Sequence, residues 1–306
     1  MWRGRVGDER CGAGAALGQA HSLHRSWPVC GGAGGAAGGR GGYRARGAGG
    51  VHPLPGRGRE FTGGRLAEID HRWVESMLAT DQARCPGPWS VGRDQPLVGC
   101  CRDFALVTVA ALRARGVAAR TRVGFASYLA GGFGVDHVVA EYWDGGRWVW
   151  ADTQLDPAGV WPMRVGDIGR RDGVVGAPFA SAAQVWLAHR AGVVDVWRYG
   201  VAPESPWRGE RFVRSYVLLE LAHRQGDEVL LWDTWAGMEE AGDGVFDGVA
   251  RLLVAADEGD GAAERELAAW YARDDRLNPG GWVVCRSPSG RRERVDLVRR
   301  VGEPWV

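Results

Sequence analysis

Two runs rich in β-branched and aromatic residues, Asp136–Trp143 and Gly146–Asp152, meet at Asp144-Gly145. An Asp-Gly pair between such runs is a strong signal for a two-residue hairpin turn, because that turn needs backbone angles Asp and Gly adopt readily. The chain must therefore accommodate an antiparallel ribbon here. A two-residue loop pairs Trp143 with Gly146 and carries His137 opposite Asp152. Opposed residues share a face, with Cβ atoms about 4.5–5.5 Å apart, so an imidazole and a carboxylate come within reach. A three-residue loop would send Asp152 to the other face. Asp136 alternates away from His137, and Glu141 shares its face at a distance of two pairs. Trp148 and Trp150 share it too and are candidates to line a cleft. The plain alternative is a satisfied strand histidine beside a strand-end aspartate.

Upstream, Val98-Gly99-Cys100-Cys101-Arg102-Asp103-Phe104-Ala105 passes from a polar loop into an apolar helix. Phe104, Val107, Ala111 and Ala114 recur at helical spacing, and Gly116 ends the run. Cys101 lies at or just before the first turn, where unpaired N–H groups and the helix dipole stabilise a thiolate. A depressed thiol pKa is what a cysteine nucleophile requires. A small buried core cysteine is the competing reading. Cysteine at a helix start, then histidine and aspartate on neighbouring strands, together supply a nucleophile, a proton carrier and its orienting acid.

The flanking elements follow from period and punctuation. Ala67, Ile69, Trp73, Met77 and Leu78 predict a helix over 65–80 that carries His71. Cys85-Pro86-Gly87-Pro88 opens a loop through Trp89 and Gln95. Val117–Phe125 alternates as a half-buried strand, with Arg120, Arg122 and Gly124 on its second face. A loop with Gly131, Gly132 and Gly134 follows, expected to be mobile and to border a cleft. Beyond residue 157, helices are expected over Ala182–Ala191 (Ser181 as cap), Arg211–His223, Phe246–Ala256 and Ala262–Arg273. Glu228–Trp232 reads as a short strand or helix end, Trp197–Trp207 as loop, Trp282–Cys285 as a late strand, and Arg291–Arg300 as a charged, partly amphipathic terminus. His189 and His223 have no ligand cluster near them and read as structural.

Residues 1–60 hold 18 Gly and show no hydrophobic period, so they are expected to be a disordered Gly/Ala/Arg-rich tail. The core is assigned to 61–160 and a mainly helical extension to 161–306. The net charge of +1 points to neither nucleic acid nor a membrane surface as partner. No apolar run reaches transmembrane length, and no signal-peptide core is visible. The six cysteines contain no C-x-x-C, so neither a zinc site nor a disulfide framework is read. Adjacent Cys100 and Cys101 are poorly placed to pair. Reduced thiols in a cytoplasm fit this pattern.

Gly99-Cys100-Cys101-Arg102-Asp103-Phe104-Ala105, Val135-Asp136-His137 and Trp148-Val149-Trp150-Ala151-Asp152 together resemble the transglutaminase-like superfamily, and more narrowly its bacterial members. The resemblance spans residues 66–156, about a third of the chain. It implies an α+β fold with a papain-like core, a cysteine-bearing helix packed on an antiparallel sheet. It also implies a Cys-His-Asp triad with Cys101 as nucleophile, His137 as base and Asp152 as orienting acid. Gln95 stands six residues before Cys101, a spacing similar to the oxyanion glutamine of papain-like enzymes. The implied chemistry is acyl transfer or hydrolysis on a peptide, protein or small amide substrate through a thioester. No metal or organic cofactor is called for. Two other readings stay open: a binding or scaffold protein that keeps the fold without turnover, and a redox sensor using Cys100 and Cys101.

Overall fold

A computed structural model describes residues 63–84, 86, 97–169 and 173–305. The expected tail over 1–60 lies outside the described residues. The first described element, Gly63–Asp70, is a 3-10 helix, and α1 (Val74–Arg84) follows it. The single helix expected over 65–80 is thus two elements broken at His71 and Arg72. The break has a physical cause, because the backbone carbonyls of both residues are taken by the Arg102 guanidinium and are lost to a continuous helix. His71 sits at the break, with Nε2 3.0 Å from Thr80 Oγ1.

Helix α2 (Cys101–Arg113) packs against a sheet built from β1 (Ala119–Ala130), β2 (Phe133–Trp143), β3 (Trp148–Ala151), β4 (Phe179–Ser181) and β5 (Tyr199–Gly200). The strand order is β3-β2-β1-β4, with β5 also on β2. All these pairings are antiparallel except β2 with β5. The glycine loop expected between β1 and β2 is a tight connection. Ala130 pairs with Phe133, Gly132 takes a φ of 77°, and Gly134 is already in β2. Gly124 lets β4 approach β1 closely. A Cβ there would fall 2.2 Å from the Ala180 carbonyl oxygen.

The second half adds α3 (Ala182–Arg190), α4 (Glu210–Gln225), α5 (Asp243–Asp257) and α6 (Gly261–Arg273). Ser181 caps α3, accepting from the Gln184 amide while the Gln184 side chain accepts from Ser181 N at 3.0 Å, a reciprocal capping box. A second sheet combines Asp233–Thr234 (β6), Trp282–Arg286 (β7), Arg292–Asp296 (β8) and Val301–Pro304 (β9) in that order. The charged terminus expected over Arg291–Arg300 therefore includes strand β8, and β9 follows it. Glu228–Trp232 is irregular, held in part by the Leu230 amide donating to Asp233 Oδ2 at 2.8 Å.

The largest apolar cluster runs across both halves. Cys101, Ala105, Val123, Phe125 and Val138 pack with Trp186, Tyr216, Leu218, Phe246 and Leu253. Strand β1 is consequently buried on both faces, unlike the half-buried strand expected. Arg122 is fully buried between Asp257, at 2.6 and 2.8 Å, and Glu220, at 2.6 Å. Glu141 adds its charge to this network and also bonds Arg120. Carboxylates from α4 and α5 are what let an arginine occupy the core. Among the described residues no helix is long and apolar enough to cross a membrane.

Candidate active site

Two anchors fix the start of α2. Cys100 is the cap residue in an extended conformation, and its N–H donates to Asp103 Oδ2 at 2.8 Å. This takes one of the donors that a helix start leaves unpaired. Arg102 is fully buried and donates to the carbonyls of His71 at 3.0 Å, Arg72 at 2.6 Å and Glu228. It also bonds Asp103 Oδ1 at 3.0 Å. Cys101, the first helical residue, is held between these two anchors and faces the sheet.

The sheet offers it an opening. Strand β1 covers one edge of β2. On the other edge β3 pairs with Ala140–Trp143, and β5 pairs with Gly134 and Val135. Among the described residues no strand lies beside Asp136–Val139 there. Cys101 lies against this stretch, where His137 and the Val138 amide favour its thiolate. His137 Nε2 lies 2.8 Å from Asp152 Oδ2, which leaves Nδ1 for the thiol. Cys101, His137 and Asp152 are thus brought together; their exposures are 6 %, 1 % and 0 %.

The hairpin differs from the expected register in an instructive way. Trp143 pairs with Trp148 and Ala140 with Ala151, so residues 144–147 form a four-residue turn. Asp144 stabilises it by accepting from Gly146 N and Arg147 N, both at 2.9 Å. Relative to a two-residue turn the partner slips by two positions. An even slip preserves facing, so Asp152 still meets His137, now diagonally from beyond the end of β3. The Asp152 N–H bonds Val165 O at 2.8 Å and no longer belongs to the ladder.

The charges reinforce one another. The Cys101 thiol lies well below the ordinary thiol range, through the Cys100 thiol hydrogen bond first and then His137 and the Val138 amide, against the cost of burial. Burial acts against the charged imidazole, but the Asp152 carboxylate and the Cys101 thiolate outweigh it and raise His137 to about 10. Both shifts run in the direction of a thiolate–imidazolium pair. Asp152 is held below the usual carboxylate range despite its burial, by His137, by the Tyr128 hydroxyl and by the Gln154 amide. Cys100 moves the opposite way, well above the thiol range, because its proton is engaged by Cys101. Burial pushes Asp103 up to about 6.

Other residues singled out from sequence fall elsewhere. Asp136 is on the opposite face from His137, where it accepts from Tyr216 Oη at 2.6 Å. Burial and the nearby thiolate push it up to about 7. Glu141 belongs to the arginine network and accepts from Trp150 Nε1 at 2.7 Å. Trp150 is buried edge-on against Phe179 at 5.4 Å, and Trp148 lies under Arg120 at 4.5 Å. The arginine network and the core engage their rings. His223 is buried between Thr121 Oγ1 at 2.8 Å and Val229 O at 3.0 Å, a structural setting. Gln95 lies outside the described residues. Among those described, no group of three or more His, Cys, Asp or Glu side chains could hold a metal ion.

Tyr128 is the residue that sequence reading missed. Its hydroxyl donates to Asp152 Oδ2 at 2.6 Å, and its ring stands edge-on to His137 at 6.1 Å and 88°. Gly124 pairs with His137. Carrying the β1 alternation four residues further would have placed Tyr128 on the same face.

Residues 73–153 match the model of the transglutaminase-like superfamily. The chain therefore carries a transglutaminase-like domain in a mixed helix and antiparallel-sheet framework, in keeping with an α+β papain-like core. No curated protein and no solved structure matches the chain.

Proposed function

We propose that the transglutaminase-like domain performs thiol-dependent acyl transfer or hydrolysis at an amide or peptide bond, on a peptide, protein or small amide. The supporting observation is a single imidazole that meets Asp152 at 2.8 Å and couples electrostatically to the Cys101 thiol, each raising the charge on the other. In this reading the Cys101 thiolate attacks the carbonyl carbon, and the electron pair moves to oxygen. The oxyanion collapses, the C–N bond breaks, and the His137 imidazolium gives its proton to the departing nitrogen. The resulting thioester is attacked by water or a second amine, whose proton returns to His137, and Cys101 is released. Asp152 holds the imidazole in the orientation both proton transfers need. The Cys101 backbone N–H and the Gln95 side chain are the proposed oxyanion donors. Cys100, Cys101 and Cys285 are free thiols, which fits a cytoplasmic setting.

The burial of Cys101 favours a second reading, a scaffold or binding protein that keeps the constellation without turnover. Acylation separates the two. The protein is mixed with p-nitrophenyl acetate, quenched in acid and digested for mass spectrometry. A burst of nitrophenol with an acetyl group on Cys101, absent in Cys101→Ala and strongly slowed in His137→Ala, is the expected result. No acylation at Cys101, or equal acylation in His137→Ala, would overturn the catalytic reading in favour of the scaffold.

A further inference from the structure

Asp152 is saturated with donors. The Gln154 amide bonds Oδ1 at 2.9 Å, while Oδ2 takes both His137 Nε2 at 2.8 Å and Tyr128 Oη at 2.6 Å. Two donors therefore divide the charge of one carboxylate oxygen, and Asp152 is fully buried. Tyr128 comes from β1, an element not otherwise used by the triad, and its ring packs edge-on against the imidazole. A phenol placed only to fill space would not need its oxygen on the atom that orients His137.

Building on the acyl-transfer reading, we propose that Tyr128 is a positioning residue. Its hydroxyl fixes Asp152 Oδ2 and shares that oxygen's charge, and so limits how tightly the carboxylate holds the His137 proton. The consequence is chemical. An orienting carboxylate that held the imidazolium too firmly would keep the Nδ1 proton from the departing nitrogen. A donor competing for the same lone pairs weakens that grip without moving the ring. Tyr128 acts through Asp152 and does not touch the reacting atoms.

The test reads the His137–Asp152 bond directly and needs no substrate. The Nε2 proton of His137, bonded to a buried carboxylate, gives a low-field proton resonance in the full chain at neutral pH. It is assigned by its loss in His137→Ala. In Tyr128→Phe the ring remains and the donor is lost, so Oδ2 turns wholly to His137 and the resonance moves further downfield. The upper titration of the imidazole moves up with it, by about one pH unit, the size of a hydrogen bond to a charged group. Installing 3-fluorotyrosine at position 128 gives a stronger donor with the same shape, and the resonance moves upfield. That second arm holds even if Tyr128→Phe folds poorly. An unchanged resonance in both proteins, or shifts of the reverse sign, would overturn the role of Tyr128. If the wild-type His137 titrates as an ordinary imidazole and Cys101 as an ordinary thiol, it is the acyl-transfer reading that fails, and the two failures are told apart in one experiment.

Discussion

Arg122→Met is the perturbation with the most calculable outcome. The wild-type guanidinium is fully buried and serves Asp257 and Glu220, with Glu141 3.6 Å away. Methionine roughly replaces the stem and removes the charge. Three carboxylates then remain in the core with fewer partners. Each keeps at least one: Arg224 holds Asp257 at 2.6 Å, Ala183 N holds Glu220 at 2.8 Å, and Arg120 and Trp150 Nε1 hold Glu141. Breaking one member of a buried ion network costs about 3–5 kcal/mol, and the surviving bonds argue for the lower end, about 3 kcal/mol. That is a large share of the roughly 5–15 kcal/mol available to a folded domain. Urea unfolding followed by circular dichroism at pH 7 measures it. Burial already pushes Glu220 up to about 7, so removing its cation raises it further. Adding Glu220→Gln to Arg122→Met should therefore restore part of the loss. A loss below about 1 kcal/mol, the scale of an exposed pair, would refute the claim that this network binds the sheet to α4 and α5.

Three further outcomes are expected. Cys100→Ala removes the main hydrogen bond that favours the Cys101 thiolate, so thiolate absorbance at 240 nm should appear about one pH unit higher; an unshifted titration would show that Cys100 is a bystander. His137, raised from 6.5 to about 10, contributes stability that is fully present below pH 6.5 and lost as pH rises through about 10. The stability difference between wild type and His137→Ala should shrink over that window, and a difference that stays constant or grows would contradict the ion pair. In Gly124→Val the first side-chain atom would fall 2.2 Å from the Ala180 carbonyl oxygen, so β4 must be displaced. A loss of about 1–3 kcal/mol or more in urea unfolding is expected, and a neutral variant would contradict the close approach of β1 and β4.

Local signals carried much of the fold. The helix beginning at Cys101, the Ser181 cap and the hairpin around Asp144 all depend on contacts a few residues apart, and such contacts leave period and punctuation in the sequence. The meeting of His137 with Asp152 survived an error in turn length because strands alternate with period two and the slip was even. What was not legible depends on distant partners. Arg122 looked like a solvent-facing residue, since nothing nearby announces that Glu220 and Asp257 will surround it. Trp150 looked available for a cleft, whereas Glu141 and Phe179 enclose it. The break at His71 and Arg72 is imposed by Arg102, thirty residues downstream of Arg72. Tyr128 was within reach, had the alternation of β1 been followed past Phe125.

The central claim is that Cys101, His137 and Asp152 form a charged, reactive pair with its orienting acid. The pH dependence of iodoacetamide labelling, with the modified cysteine located by mass spectrometry, tests it most directly in wild type, Cys100→Ser and His137→Ala. The account predicts selective labelling of Cys101 with an apparent pKa well below the ~8.5 of a free thiol, and a return toward that value in His137→Ala. Labelling of Cys101 only as an ordinary thiol, or a profile indifferent to His137, would contradict it.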